Sequence, residues 1–261
     1  MSLHVQTLGS QGPDLVFLHG WGLSARIWES LAGRLKTRFR CHLVDLPGHG
    51  ESEAGPAGLN NWVDAVMNTI EQPAVFIGWS LGGLVALGAA RRYPERVQGL
   101  VLVATLARFV REPGNDYGMK TQAIEATRRG LSEDFSTTLS EFLMQQVLGE
   151  PGAARAVRSL RNDLMDQPPA RDALERGLDI LFEADFRDAL PGIVQPALVV
   201  AGARDRMAHP DAMAAMVDTL PNAEFWRVDR AAHAPFISHE KPFADRVAAF
   251  AWDCAKPGRD A

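Results

Sequence analysis

Only two cysteines occur among the 261 residues, Cys41 and Cys254, and they are far apart in the chain. Two distant cysteines provide neither a disulfide framework nor the closely spaced ligands of a zinc site. The first residues lack the charged start and apolar stretch of a signal peptide. The longest apolar segments, such as Leu100–Ala107, are too short to cross a bilayer. We therefore expect a cytoplasmic protein that does not bind membranes.

Positive charge is not in excess either, because 27 Lys and Arg stand against 32 Asp and Glu, for a net charge of -5 at pH 7. Such a chain has no global basic field that would hold nucleic acid. The sequence also contains no phosphate-binding G-x-x-x-x-G-K-[ST], no G-x-G-x-x-G after the first strand and no H-E-x-x-H. We therefore predict neither a metal nor an organic cofactor.

Short apolar segments alternate with longer amphipathic ones over most of the chain. Six segments are predicted to be strands: Leu15–Leu18, Cys41–Val44, Ala74–Ile77, Gly99–Val103, Ala197–Val200 and Ala223–Val228. Helical patterns lie at about 24–36, 59–71, 81–92, 210–219 and 240–255. This order predicts an α/β fold with a mostly parallel central sheet and helices on both faces.

The alternation stops between about 105 and 190, where no convincing strand is present and three or four helices are predicted. Ser132, followed by two acidic residues and Phe135, is typical of a helix N-cap. We expect a helical cap at 105–189, inserted into a core formed by 1–104 and 190–261.

The strongest chemical signal is a G-x-S-x-G motif, Gly78-Trp-Ser80-Leu-Gly82, between a predicted strand and a predicted helix. In this context the chain must turn sharply, so that Ser80 projects above the edge of the sheet. Gly78 and Gly82 leave room where the strand and the helix nearly touch. The motif predicts a nucleophilic serine.

A nucleophilic serine needs a base, and the chain has seven histidines. His233 is favoured because it follows the last predicted strand and precedes the last helix; His239 and His209 are the rivals. Asp205 is the favoured acid, since it lies just beyond a strand and completes the order Ser, Asp, His along the chain. Asp229, four residues before His233, is the competing acid.

An ester hydrolase also needs two backbone N–H groups that stabilise the oxyanion. One should belong to Leu81, the residue after the nucleophile. The other should lie on the loop after an early strand, where His19-Gly-Trp-Gly22 makes the Trp21 N–H the expected donor.

These motifs resemble those of the α/β-hydrolase family over the whole chain. More narrowly, the sequence resembles the pimeloyl-[acyl-carrier protein] methyl ester esterases, the BioH-type carboxylesterases of biotin synthesis. The matching segments are Leu18–Leu23, His42–Gly48, Gly78–Ala86, Pro94–Val97 and Ala231–His239.

This resemblance implies a serine carboxylesterase that hydrolyses the methyl ester of a pimeloyl-acyl-carrier protein, with the carrier protein as partner. We also expect a monomer. It implies substrate contacts at Trp21, Ser80, Leu81, Phe142, Leu143, Met144, Gln145 and Gln146. It also implies that basic cap residues dock the acidic carrier, and the candidates here are Arg155, Arg158 and Arg161.

The chain departs from the family pattern at Thr137 and Glu141, where the family has arginines. The departure concerns carrier docking and leaves the hydrolase chemistry intact. Two alternatives stay open at this point: the same triad acting on another small ester or a lactone, and a ligand-binding receptor with a vestigial triad.

Overall fold

The computed structural model describes residues 2–146, Arg161 and residues 168–256. Its seven strands form one sheet: β1 Val5–Leu8, β2 Asp14–Leu18, β3 Arg40–Val44, β4 Ala74–Trp79, β5 Val97–Val103, β6 Ala197–Gly202 and β7 Ala223–Val228. The strand order is β1-β3-β2-β4-β5-β6-β7. Only β1 runs antiparallel to its neighbour, and every other pair is parallel. The predicted fold class is confirmed.

The described helices follow the predicted alternation: α1 Glu29–Leu35, α2 Leu59–Thr69, α3 Leu81–Arg92, α4 Thr121–Glu133, α5 Phe135–Gln146, α6 Arg171–Glu183, α7 Pro210–Val217, α8 Pro235–Ser238 and α9 Glu240–Cys254. Helices α4, α5 and α6 lie between β5 and β6, in the segment for which a cap is expected. The bounds of that cap as a separate unit stay a prediction. None of the described helices is long and apolar enough to span a bilayer.

The central strands β2, β4 and β6 are buried along their whole length, as expected of strands covered on both faces. Parallel strands place all their carboxyl ends at one edge of the sheet, where binding sites of open α/β sheets form. The loops after β2, β4, β6 and β7 therefore meet at this edge, and they carry the predicted site residues.

Two local features differ from the sequence-based predictions. Strand β1 was not predicted, and it pairs along the edge with β3. Ser132 does not cap a helix, because it lies within α4. The residue that caps α5 is Asp134, whose carboxylate accepts a hydrogen bond from the Thr137 N–H at 3.1 Å. Ser132 and Asp134 are both of residue types that favour the N-cap position. Asp134 takes this position because α4 ends just before it.

A cluster of aromatic rings supports the edge that carries the site. The Trp28 ring lies 5.6 Å from Phe17 of β2 and 4.2 Å from Phe236 of α8, measured between ring centroids. Phe236 in turn lies 5.2 Å from Trp79, the last residue of β4. This packing fixes α8, which begins two residues after His233, against the central strands.

Candidate active site

Ser80 occupies a sharp turn between β4 and α3. Its backbone has φ 53° and ψ -113°, a conformation that costs a residue with a side chain about 1–3 kcal/mol. The Ser80 N–H donates to the Val103 carbonyl at 2.9 Å, so β5 holds the turn in place. A Cβ atom on Gly78 would lie 2.5 Å from the Gly82 carbonyl oxygen, which leaves glycine as the residue that fits. The fold therefore presents Ser80 at the carboxyl edge of the sheet in a strained conformation.

Asp205 and His233 form a buried pair beside this turn. The Asp205 Oδ2 atom lies 2.8 Å from His233 Nδ1, and the two side chains are 0% and 2% exposed. The other carboxylate oxygen accepts the N–H groups of Met207 and Ala208 at 2.8 and 2.9 Å. Three hydrogen bonds thus fix the carboxylate, and the carboxylate fixes the imidazole.

The competing residues lie elsewhere. Asp229 is exposed, so it does not share the burial of the pair. His239 is the N-cap residue of α9, and its Nδ1 lies 2.8 Å from Ser238 Oγ. His209 is the N-cap residue of α7, and its ring stacks on Tyr117. Among the described histidines other than His233, none contacts Asp205 through a hydrogen bond.

With Nδ1 donating to Asp205, the Nε2 atom of His233 is free to accept a proton. Nε2 is buried and makes no hydrogen bond within the part of the chain that the structure describes. A buried, unpaired ring nitrogen is available to a hydroxyl that approaches it.

The main chain of His233 is held from two sides. Trp79 donates its indole Nε1–H to the His233 carbonyl at 2.8 Å, and Trp79 is the residue before Ser80. The His233 N–H donates to the Gln146 carbonyl at 3.0 Å, at the end of α5. These two bonds couple the histidine loop to the serine turn and to the cap. The reasoning from sequence missed both, because hydrogen bonds to backbone carbonyls leave no local pattern.

The two expected oxyanion donors also lie at this edge. Leu81 begins α3, where the first N–H groups have no partner within the helix. On the loop after β2, His19 Nδ1 lies 2.8 Å from the Gly20 carbonyl, and the Leu46 N–H donates to His19 Nε2 at 2.9 Å. Because a peptide unit is planar and trans, holding the Gly20 carbonyl also fixes the direction of the Trp21 N–H.

His19 performs this holding role as a neutral ring. Burial lowers its pKa, although the nearby Asp45 opposes that effect. His49, whose ring centroid lies 5.1 Å from that of His19, has a pKa lowered to about 3 by burial and by the neighbouring imidazole. The two imidazoles behind the oxyanion loop are therefore uncharged at neutral pH.

The cap covers the Trp21 side of the site. The Trp21 indole N–H donates to the Leu174 carbonyl of α6 at 2.8 Å, and its ring meets Phe142 edge-on at 4.6 Å. A Cβ atom on Gly177 would lie 2.7 Å from Trp21 Cδ1 and 3.3 Å from Leu81 Cδ2. Helix α6 therefore passes directly over the two residues expected to stabilise the oxyanion.

The five cap residues predicted to contact substrate do not share one environment. Phe142 contacts Trp21, while Leu143 and Gln146 are buried. Met144 is 52% exposed and Gln145 is exposed as well. As in any helix, five consecutive residues cannot all face the same side, so the expected contacts divide between an inner and an outer group.

The predicted docking residues are only partly described. Arg155 and Arg158 lie outside the described residues, whereas Arg161 is helical and exposed. Thr137 and Glu141 lie on α5. Within residues 2–146, 161 and 168–256, no three His, Cys, Asp or Glu side chains converge as a metal site would require.

Comparison with known proteins agrees with this geometry. Residues 13–240 match the family model described as alpha/beta hydrolase fold. The chain is 42% identical over 253 residues to the pimeloyl-[acyl-carrier protein] methyl ester esterase of Pectobacterium atrosepticum, covering 96% of this chain and 98% of that protein. The esterase of the same name from Chromobacterium violaceum is 42% identical over 250 residues, with 95% and 97% covered.

Among solved structures, an esterase from Exiguobacterium antarcticum superposes with a TM-score of 0.87, at 21% identity and with 95% of both chains covered. This likeness concerns the fold. With its family match and its full-length relatives, the chain belongs to the α/β-hydrolase family and, within it, to the family of the pimeloyl-[acyl-carrier protein] methyl ester esterases.

Proposed function

We propose that the protein is a serine carboxylesterase that hydrolyses the methyl ester of a pimeloyl-acyl-carrier protein, releasing methanol and the free carboxylate in biotin biosynthesis. The observation that carries the chemistry is the buried Asp205–His233 pair beside the strained Ser80 turn. The substrate rests on the full-length relatives of that name.

In the proposed reaction, Ser80 Oγ attacks the ester carbonyl while His233 Nε2 accepts the hydroxyl proton. Asp205 keeps Nδ1 as the donor and stabilises the imidazolium that forms. The N–H groups of Trp21 and Leu81 stabilise the negative oxygen of the tetrahedral intermediate. His233 then donates its proton to the departing methoxy group, and methanol leaves an acyl-enzyme.

Water completes the cycle by the same groups in the reverse order. His233 takes a proton from a water molecule, which attacks the acyl carbonyl, and then returns a proton to Ser80 Oγ. The product keeps its thioester to the carrier and gains a carboxylate at the far end of the acyl chain.

The cap is proposed to select the acyl chain. Phe142, whose ring meets Trp21 edge-on, supplies an apolar lining there, which suits a methylene chain better than a polar one. The segment 105–189 would then act as a lid above a core formed by 1–104 and 190–261. The acyl-carrier protein as partner belongs to this proposal, and a cytoplasmic monomer stays a prediction.

The test is growth of a biotin auxotroph that lacks its own pimeloyl methyl ester esterase. We expect the wild-type gene to restore growth without biotin and Ser80→Ala to fail, although both proteins accumulate to the same level. In parallel, methanol release is measured with the carrier-linked methyl ester, a p-nitrophenyl ester and a lactone. Rapid hydrolysis of the small esters without growth or methanol release would refute the proposed substrate but would still support an esterase activity.

A further inference from the structure

A basic cleft lies beside the catalytic loops. It has a volume of about 480 Å³, and its charged lining residues are Arg111, Lys120, Arg204 and Arg206. Among the described residues, no aspartate or glutamate lines it. Four cations in one concavity are unusual in a chain whose net charge is -5.

The acids that adjoin the arginines in sequence are turned away or already paired. Asp205 lies between two of the arginines, but its carboxylate points inward to His233 and to two backbone N–H groups. Glu112, next to Arg111, forms ion pairs with Arg108 and Arg187. Within the described part of the chain, Arg111, Lys120 and Arg206 have no ion pair. Their positive charge is available to a ligand.

The cleft is continuous with the catalytic apparatus. Met207, one of its lining residues, donates its N–H to Asp205, and Ala232, another, precedes His233. Gln145 of α5 closes the cap side, and the next residue accepts the His233 N–H. A group bound in the cleft therefore lies at the boundary between core and cap, next to the loop of the catalytic base.

We propose that this cleft binds the phosphodiester of the phosphopantetheine arm on which the carrier protein presents its acyl chain. The inference rests on the proposed function, because that substrate bears such an arm. Planar guanidinium groups form paired hydrogen bonds with phosphate oxygens, and an ammonium adds a point charge. Met119 and Met207 supply an apolar lining for the hydrocarbon part of the arm beside the phosphate.

The concave shape favours a small anionic group over the acidic face of a folded protein. A carrier surface would meet charges spread over a convex or flat area, whereas a cleft admits a single phosphate and its attached chain. Its described lining uses residues from the core as well as the cap. It would hold the arm while the cap holds the acyl chain.

The experiment compares two thioesters that carry the same pimeloyl methyl ester, one on 4′-phosphopantetheine and the other on pantetheine, which has no phosphate. The double variant Lys120→Glu with Arg206→Glu is compared with a matched charge reversal, Lys36→Glu with Arg91→Glu. Both control positions are exposed and outside the cleft, Lys36 just after α1 and Arg91 on α3. The readout is the ratio of kcat/KM for the two thioesters, with thermal unfolding as a check of folding.

We expect the wild type to prefer the phosphorylated arm, and the cleft variant to lose on the order of tenfold in that ratio. The control should keep the ratio, and rising salt should reduce the wild-type preference because exposed charges are screened. An unchanged ratio in the cleft variant would overturn the proposal. Equal losses on both thioesters leave the ratio unchanged and would overturn it as well, because the cations would then act without reference to the phosphate.

A binding measurement separates this inference from the proposed function. Calorimetric titration of Ser80→Ala with 4′-phosphopantetheine requires no turnover, and the cleft changes should weaken binding by a similar factor. If the wild type hydrolyses none of the pimeloyl methyl esters, the proposed function fails, and this titration still decides whether the cleft binds the arm.

Discussion

The edge of the sheet and the cap that faces it are held in place in different ways. At the edge, the Asp205 carboxylate has three hydrogen-bond donors, and the Ser80 turn is fixed by a bond to β5. Helix α3, which supports the turn, is buried along nearly its whole length. Several hydrogen bonds and close packing therefore hold the Ser80 turn and the Asp205 carboxylate in one position.

Helix α4 of the cap buries far fewer side chains than α3 does. In α4 only Ile124 and Leu131 are buried, and the surface of that helix is otherwise polar or partly exposed. The described links from the cap to the site are single groups: the Gln146 carbonyl, the Phe142 ring and the α6 contacts of Trp21. Elements with few buried contacts open most readily. We therefore expect the cap to control which substrates reach the site, while the residues at the sheet edge carry out the reaction.

The largest effect should come from removing the nucleophile at the edge. We expect Ser80→Ala to lower kcat for a p-nitrophenyl ester by about 10⁴-fold or more, since histidine and aspartate cannot act without it. The melting temperature should hardly change, because a small side chain replaces another at the same turn. Stopped assays with purified protein measure the loss. Substantial turnover in a folded variant would place the nucleophile elsewhere.

The second prediction concerns the acid. Asp205→Asn should lower kcat by about 10³- to 10⁴-fold, because an amide no longer selects the imidazole tautomer that leaves Nε2 as acceptor. Asp229→Asn is the matched control and should stay within about twofold, because that side chain is exposed. Steady-state kinetics of the two variants on one ester decide the matter. A greater loss at Asp229 would contradict the assignment.

The same contrast explains what the sequence could and could not predict. Each edge residue lies just after a strand, and parallel strands bring such positions together. The G-x-S-x-G motif and the chain order therefore predict Ser80, Asp205 and His233. The bonds made by Trp79 and Gln146 join distant segments through backbone carbonyls, for which no pattern exists. The basic cleft likewise combines cations that are far apart in the sequence.

In the fold, the missed elements are those with weak local signals. Strand β1 is four residues long and only partly buried, so it shows neither a continuous apolar segment nor a clear alternation. Its position depends on pairing with β3, which is a tertiary contact. The buried strands were predicted because burial on both faces requires the apolar composition that marks them.

The third prediction uses acid to test the neutral imidazoles beneath the oxyanion loop. Burial lowers the pKa of His49 to about 3 in the folded protein, well below the ordinary value of 6.5 that applies to the unfolded chain. Below pH 6.5 the unfolded chain therefore binds a proton that the folded protein does not, and stability falls as the pH decreases. For this group the loss between pH 7 and pH 5 is about 2 kcal/mol.

Urea unfolding of the wild type and of His49→Gln at pH 7 and pH 5 measures this loss. We expect the variant to be less stable at pH 7, because a buried ring is replaced, but to lose less stability on acidification. If both proteins lose the same amount between the two pH values, His49 is not the group that titrates. The cap should contribute little to the difference, since the histidine lies in the core layer.

The smallest effect should come from adding one methyl group to the cap where it covers the edge. Gly177 in α6 and Gly33 in α1 are both helical glycines, and replacing such a glycine by alanine stabilises a helix by about 0.5–1 kcal/mol where space allows. At Gly33 no atom lies within 4 Å of an added Cβ, so Gly33→Ala should raise the melting temperature and leave kcat unchanged.

At Gly177 the added Cβ would meet Trp21 at 2.7 Å and Leu81 at 3.3 Å. Gly177→Ala should therefore show no gain in stability and a loss of about tenfold in kcat/KM, because α6 must move away from the oxyanion donors or displace them. Scanning calorimetry and ester kinetics on both variants test the pair, and a stabilised, fully active Gly177→Ala would show that the cap does not press on the site.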